Sequence, residues 1–295
     1  MRRKTWLIGA LLSVALACGS LAISSCGGGG EQSTTDSSVD SSMDSGTDSS
    51  IDSSTSVEKT PTEGVVYDLF NEGTYALVTG YNGTDTDVVI ADTYKGVPVI
   101  VIGANAFYGR NITSVVIPDS VAIIGARAFM GCFYLSSVEI PDSVVTIQDV
   151  AFGACISLTD IQLGENNPSY QLIDGNLYSK DGKTLVQYAL GKTDNSFTIP
   201  NGVTAIGMGS FAYCPNLTSV VIGDSVTTIG DFAFYDCDRL TSVYYQGTES
   251  DWAEIEIGSI VFSNTNVTVY YYSASTPTDG GNYWHYDENG NPVAW

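Results

Sequence analysis

The sequence predicts a mainly β solenoid: short coils stacked on one another, with a parallel sheet along one side. Three observations predict it. A phrase returns along the chain. AFYGRNITSVVIPDSVAIIGARAF runs on into AFMGCFYLSSVEIPDSVVTIQDVAF and reappears as AYCPNLTSVVIGDSVTTIGDFAF. Phe107 to Phe129 is 22 residues, Phe129 to Phe152 is 23, and Phe211 to Phe234 is again 23. A unit of that length cannot bury its own apolar face, but a stack of units can. The second observation is the grammar inside each unit. Ile112, Leu135, Leu158, Leu217 and Leu240 are followed by apolar pairs two apart, such as Val115 and Ile117 or Val138 and Ile140. Residues two apart share a face of a strand, so each pair points inward and the residue between points out. The third is the Ala-Phe that closes each unit. It places one ring per coil in a shared interior, with Phe107, Phe129, Phe152, Phe211 and Phe234 expected in one column. About five to six coils are expected, with short turns or 3-10 or helical segments at the Ala-Phe positions.

The elements follow in order. Arg2, Arg3 and Lys4 precede an apolar run from Trp6 to Ile23 and then Ser24-Ser25-Cys26. A basic start, an apolar stretch and small residues before a cut form a secretory signal over 1–25. Ile-Ser-Ser-Cys resembles a bacterial lipobox, which implies that Cys26 carries lipid; the competing reading is an uncleaved membrane anchor. Residues 26–62 are a low-complexity linker, with Asp36, Asp40, Asp44, Asp48 and Asp52 spaced every four. Like charges at that spacing repel on a helix, and this composition buries no core, so a disordered spacer is expected. The repeat domain spans 63–273. Its first coil is longer than the rest, as a terminal cap should be. In each coil Pro118, Pro141, Pro200 or Gly223 ends the strand and opens a turn. The fourth coil carries a β-hairpin insertion at 165–195, read from Gly175-Asn-Leu-Tyr-Ser and Thr184-Leu-Val-Gln-Tyr188 around a tight turn. It is expected to be an edge elaboration, with a binding role as the alternative. Thr248 with Asp251 caps a short helix whose Trp252 and Ile255 fold over the open end of the core. The tail, 274–295, holds a hairpin that resembles a single choline-binding-type cell-wall repeat, and is expected to dock loosely.

The pattern L-x-x-V-x-I-P-x-x-V-x-x-I-G-x-x-A-F-x-x-C resembles the BspA-type leucine-rich repeat of bacterial surface proteins, over roughly Val65 to Tyr272. The resemblance implies a right-handed leucine-rich-repeat solenoid. It also implies a role in adhesion or protein binding at the cell surface, without a catalytic site.

Composition narrows the partners. The chain carries 11 basic and 33 acidic residues, a net charge of −22; without Arg2, Arg3 and Lys4 the balance is 8 against 33, or −25. That argues against nucleic acid or an anionic membrane surface, leaving the lipid as the only membrane contact. Cys132, Cys155, Cys214 and Cys237 each lie three residues after a repeat Phe. They occupy one equivalent core site and are expected as free buried thiols rather than disulfides. No Cys-x-x-Cys occurs and His285 is the one histidine, so neither a metal site, a cofactor nor a histidine-based catalytic arrangement is expected. Glu139 and Asp160 fall near each other in register but carry no enzyme by themselves.

The outward strand positions are the expected ligand face: Ser114, Val116, Ser137, Glu139, Asp160, Gln162, Ser219, Val221, Ser242 and Tyr244. The expected partner is an extracellular protein or glycan, on host matrix or another cell surface. The alternative is glycan capture by the C-terminal aromatics Tyr244, Tyr245, Trp252, Tyr270, Tyr271 and Tyr272.

Overall fold

The computed structural model describes residues 60–262 and 266–295. The expected signal, Cys26 and all but the end of the linker lie outside the described residues. Within them no helix is long and apolar enough to cross a membrane.

Parallel outer strands mark the coils. Asp87–Val89, Ser114–Val116, Ser137–Ile140 and Asp160–Leu163 form one sheet; Ser196–Thr198, Ser219–Ile222, Ser242–Tyr245 and Thr268–Tyr272 belong to another. That makes about eight coils rather than five or six, because the first, fifth and last coils lack the full repeat phrase. Each coil turns through its proline or glycine. The amide of Val121 donates to the Pro118 carbonyl at 3.0 Å, and Val226 does the same to Gly223 at 3.2 Å. A second, shorter ladder follows, as in Ile123–Ile124 beside Thr146–Ile147. Neighbouring coils close tightly there: a Cβ on Gly125 would meet the Ile102 carbonyl oxygen at 2.8 Å, so only glycine fits. The Ala-Phe segments are consecutive turns. They also bond coil to coil, for example Phe107 N–H to Ala128 O at 2.7 Å and Phe129 N–H to Ala151 O at 2.8 Å. Three hydrogen-bonded sides thus enclose the core, which answers the demand that buried backbone groups be paired.

The expected single column of rings is two columns. Tyr81, Phe107, Phe129 and Phe152 follow one another at 5.7, 5.1 and 5.3 Å. Tyr188, Phe211, Phe234 and Phe262 follow at 5.0, 4.7 and 5.4 Å. The insertion divides them. Tyr170–Ile173, Asn176–Ser179 and Thr184–Gln187 make an antiparallel meander whose last strand starts the second short-strand ladder beside Ala205–Ile206. Leu177 and Ala189 are buried in the first core, and Tyr178, Leu185, Tyr188 and Leu190 in the second. The insertion is therefore an internal joint, not an edge elaboration: its alternating side chains face a core on either side.

The thiols are free and buried. Those of Cys132, Cys155 and Cys237 donate to the carbonyls of Phe107, Phe129 and Phe211 one coil back, at 3.1, 3.2 and 3.1 Å. Burial pushes the Cys132 thiol up to about 12 and raises the other three. The carbonyl one coil back from Cys214 is that of Tyr188, and it already accepts from the Gln187 amide at 2.9 Å.

Two expectations near the C-terminus need correcting. The helix Glu249–Ala253 has the capping box, Thr248 with Asp251, and Trp252 meets Tyr245 edge-on at 5.2 Å. It lies on the flank of the seventh coil, since the chain continues into Thr268–Tyr272; it is not a lid on the open end. The tail is an integral part of the sheet. Tyr283–Tyr286 pairs in parallel with Thr268–Tyr272, and Pro292–Ala294 returns antiparallel to it. The indole of Trp284 is fully buried and donates to the Tyr245 carbonyl at 2.7 Å, an anchor that a loose tail lacks.

Candidate binding face

The outer strands present their alternate residues to solvent, and register decides which of them meet. In the first stack Asp87, Ser114, Ser137 and Asp160 align across four strands, and Glu139 aligns with Gln162. Ser114 and Val116 are half-buried beside one another, as is Ser137; Glu139, Asp160 and Gln162 are exposed. Asp87 was not foreseen as part of the face, although its Asp-Val-Val-Ile matches the Ser-Val-Val-Ile of the next coil. Its carboxylate accepts from Thr113 Oγ1 at 2.8 Å and Ser114 Oγ at 2.7 Å, which fixes the Ser114 hydroxyl. Gln162 Nε2 donates to Asp160 Oδ2 at 2.7 Å, so that carboxylate is engaged along its own strand rather than with Glu139. The result is an acidic patch of hydrogen-bond acceptors at one end of the face.

The second stack brings Ser219, Ser242 and Thr268 into one row and Val221, Tyr244 and Tyr270 into the next. Ser219, Ser242 and Tyr244 are half-buried. Val221 is 2% exposed and leaves the candidate face. It is flanked in register by Thr198 and by Tyr244, whose ring lies 5.4 Å from both Tyr270 and Trp284. The ten expected residues do not share one sheet, because Asp160–Leu163 ends the first ladder and Ser196–Thr198 begins the second.

The C-terminal aromatics divide by strand alternation. Tyr245, Trp252 and Tyr271 pack on the second core. Tyr244, Tyr270 and Tyr272 face outward, where two rings from the tail join them: Tyr272 meets Trp284 at 5.4 Å, and Trp284 meets Tyr286 at 4.8 Å. Gln246 Nε2 donates to the Tyr286 hydroxyl at 2.7 Å. Trp284 and Tyr286 were missed in the sequence. The alternation in Tyr283-Trp-His-Tyr286 signals a strand, but only the fold tells which sheet it extends. Among the described residues no three His, Cys, Asp or Glu side chains converge as metal ligands. The outer face thus carries acceptors on the first ladder and rings on the second.

Comparison with known proteins agrees with this architecture. The sequence pattern of the BspA type leucine rich repeat region matches residues 100–181 and 183–278, in six copies. No curated protein matches the chain. A leucine-rich repeat protein from Eubacterium ventriosum is 22% identical, with a TM-score of 0.53 over 72% of this chain and 71% of that one. The T. pallidum leucine rich repeat protein is 25% identical, with a TM-score of 0.43 over 74% of this chain and 87% of its own. A leucine rich cell surface protein from Faecalibacterium prausnitzii is 19% identical, with a TM-score of 0.33 over 67% and 97%. With the repeat phrase, its turn-and-ring geometry and a matching pattern over more than half its length, the chain belongs to the BspA-type leucine-rich repeat proteins.

Proposed function

We propose that this chain is a lipid-anchored protein displayed outside the cytoplasmic membrane, which binds an extracellular protein through its outer strand face. Proteins of this repeat family are generally binding proteins rather than enzymes. The leader ending at Cys26 and the Ser/Asp-rich stretch after it suit a lipid anchor on a spacer, and two or more acyl chains on one cysteine would hold it firmly. The observation that carries the reading is that Glu139, Asp160 and Gln162 stand exposed on adjacent rigid strands, while the same side of the second stack is covered by its own rings. Pre-positioned acceptors give specificity to a protein contact. The outward row of Tyr270, Tyr272 and Tyr286 favours a second reading, capture of a glycan whose pyranose rings lie on aromatic faces.

One experiment separates the two. The lipid-free mature chain is applied to immobilised extracellular matrix proteins and to a glycan array, alongside a variant with Glu139, Asp160 and Gln162 all changed to Ala. Protein binding lost in the variant at unchanged melting temperature supports the first reading. Glycan binding that survives the triple change but falls with Tyr270→Ala supports the second, and binding indifferent to both changes removes the face from consideration.

A further inference from the structure

The turn side of the solenoid stores backbone strain at two repeating positions. Two residues before each ring the backbone is left-handed: Asn105 at φ 59°, Arg127 at 56°, Val150 at 58°, Gly209 at 60°, Phe232 at 58° and Ile260 at 55°. Two residues after the ring it is left-handed again, at Gly109, Gly131, Ala154, Tyr213 and Asp236. Glycine and asparagine adopt this conformation readily; bulky and β-branched residues do so at a cost of order 1–3 kcal/mol. Asn105, Gly209, Gly109 and Gly131 show that the coil accepts the easier residue. Seven positions hold neither glycine nor asparagine; the five bulky or β-branched ones, Arg127, Val150, Tyr213, Phe232 and Ile260, line the same groove, and the small Ala154 and Asp236 do not.

That groove, about 320 Å³, crosses the joint along the Ala-Phe turns of both stacks. The first stack gives Arg127, Val150, Met130 and Tyr108; the second gives Tyr213, Phe232, Ile260, Tyr235 and Ala212. Tyr235 stands edge-on to both Tyr213 and Phe232, at 5.6 and 5.7 Å, so the rings form walls rather than a flat platform. Tyr108 and Ile260 are more than half exposed, at 54% and 53%. The guanidinium of Arg127 makes no ion pair among the described residues, in a chain with three acidic residues for each basic one.

We infer that this groove binds a short peptide segment of a partner protein, one that presents a large apolar side chain next to a single carboxylate. The aliphatic walls, Met130, Val150, Ala212 and Ile260, suit such a side chain. Arg127 supplies a fork of donors that matches one carboxylate, whether from an Asp or Glu side chain or from a chain terminus. The strongly acidic remainder of the protein repels a polyanion, so one carboxylate is the complement. Side chains kept in a strained conformation where glycine would serve are expected at a ligand clamp. The inference does not depend on the outer face.

The test uses the full mature chain with labelled Met and Ile methyl groups, followed by NMR. The probes are hexapeptides of Gly and Ser carrying Phe-Asp, Phe-Lys or Ser-Asp at the centre, and a pentapeptide ending in Phe with a free carboxylate. Saturable shifts at Met130 and Ile260 are expected with Phe-Asp or with the free terminus, whichever source the site takes. Phe-Lys and Ser-Asp should bind at least about tenfold more weakly, and Arg127→Gln should weaken the Phe-Asp or terminal peptide by about the same factor. Ile260→Asn is the decisive variant, because asparagine suits the left-handed backbone. It should hold or raise the melting temperature while weakening the peptide about tenfold. Absent saturation at millimolar peptide, equal binding of Phe-Lys and Phe-Asp, or an unchanged affinity in Ile260→Asn overturns the inference. So does a chito-oligosaccharide that shifts these methyls when no peptide does.

Discussion

The regular coils and the joint between them meet the same physical demand by different means. In a regular coil every buried strand position is apolar and the backbone bonds to the coils on either side. At the joint the outer ladder stops, and four buried polar residues cluster there: Asn167, Asn176, Gln187 and Ser210. The three amide side chains replace what the ladder no longer supplies, whereas the Ser210 hydroxyl has no partner among the described residues. Asn167 donates to the carbonyls of Pro141 and Val144 at 3.0 Å each and accepts from Ser169 and Tyr170 at 2.9 Å each. Asn176 accepts from Ala189, and Gln187 donates to Tyr188 and Ser210. A repeat can thus be interrupted without unfolding when side-chain amides satisfy the backbone groups that the interruption strands.

The largest effect is expected where the repeat is most regular. Phe129 is fully buried, with rings stacked on both sides. Phe129→Ala should lower stability by about 3–5 kcal/mol through lost transfer and the cavity left behind. If the joint separates two cores, hydrogen exchange should rise in the strands from Asp87 to Leu163 and much less from Ser196 onward. A uniform rise across both stacks would break the comparison and make the solenoid one cooperative unit.

A smaller loss is expected at the joint itself. Asn167→Ala removes the bonds to the Val144 carbonyl and to the Ser169 and Tyr170 amides, while the Pro141 carbonyl keeps the Val144 N–H at 3.1 Å, and should lower stability by about 2–3 kcal/mol. The denaturant midpoint should fall at unchanged slope. Exchange should speed at Ile147, whose amide donates to the Tyr170 hydroxyl at 2.6 Å, before it speeds at the chain ends. A change under about 0.5 kcal/mol would mean that water takes over the role of the amide.

How much of this was legible follows from locality. Period, strand positions, proline turns, ring positions and the capping box at Thr248 are local patterns, and the structure keeps each of them. The joint was not read from the sequence, because Tyr188 lacks the Ala-Phe phrase that marks the other ring positions and only its spacing to Phe211 signals that it continues the ring column. It stands 23 residues before Phe211, in period with the second stack, but it follows Gln187 rather than an Ala and lies 36 residues after Phe152; the meander's antiparallel register carries it to the place of a phenylalanine. On the candidate face, alternation identified which residues point out. Whether an outward residue stays exposed depended on distant partners, as with Val221 beside Tyr244 and with the tail rings that reach Tyr244 and Tyr272. The groove on the turn side was illegible for a related reason. Left-handed backbone at Arg127 or Ile260 is imposed by the coil and opposed by the residue itself.

The smallest effect carries the opposite sign and sharpens the comparison most. Tyr188 does in the joint what phenylalanine does in the regular coils, but its hydroxyl is buried without a hydrogen-bond partner among the described residues, and burial raises its ionisation above the usual phenol range. A hydroxyl withdrawn from water and left unpaired is a net cost, so removing it alone should help. Tyr188→Phe is therefore expected to stabilise the protein by about 1 kcal/mol, while the ring stack on Phe211 is retained. Equilibrium denaturation of the mature chain measures the difference. A loss instead of a gain would show that the hydroxyl has found a water or a mobile partner, and that the joint is a wet seam between the two cores rather than a dry weld.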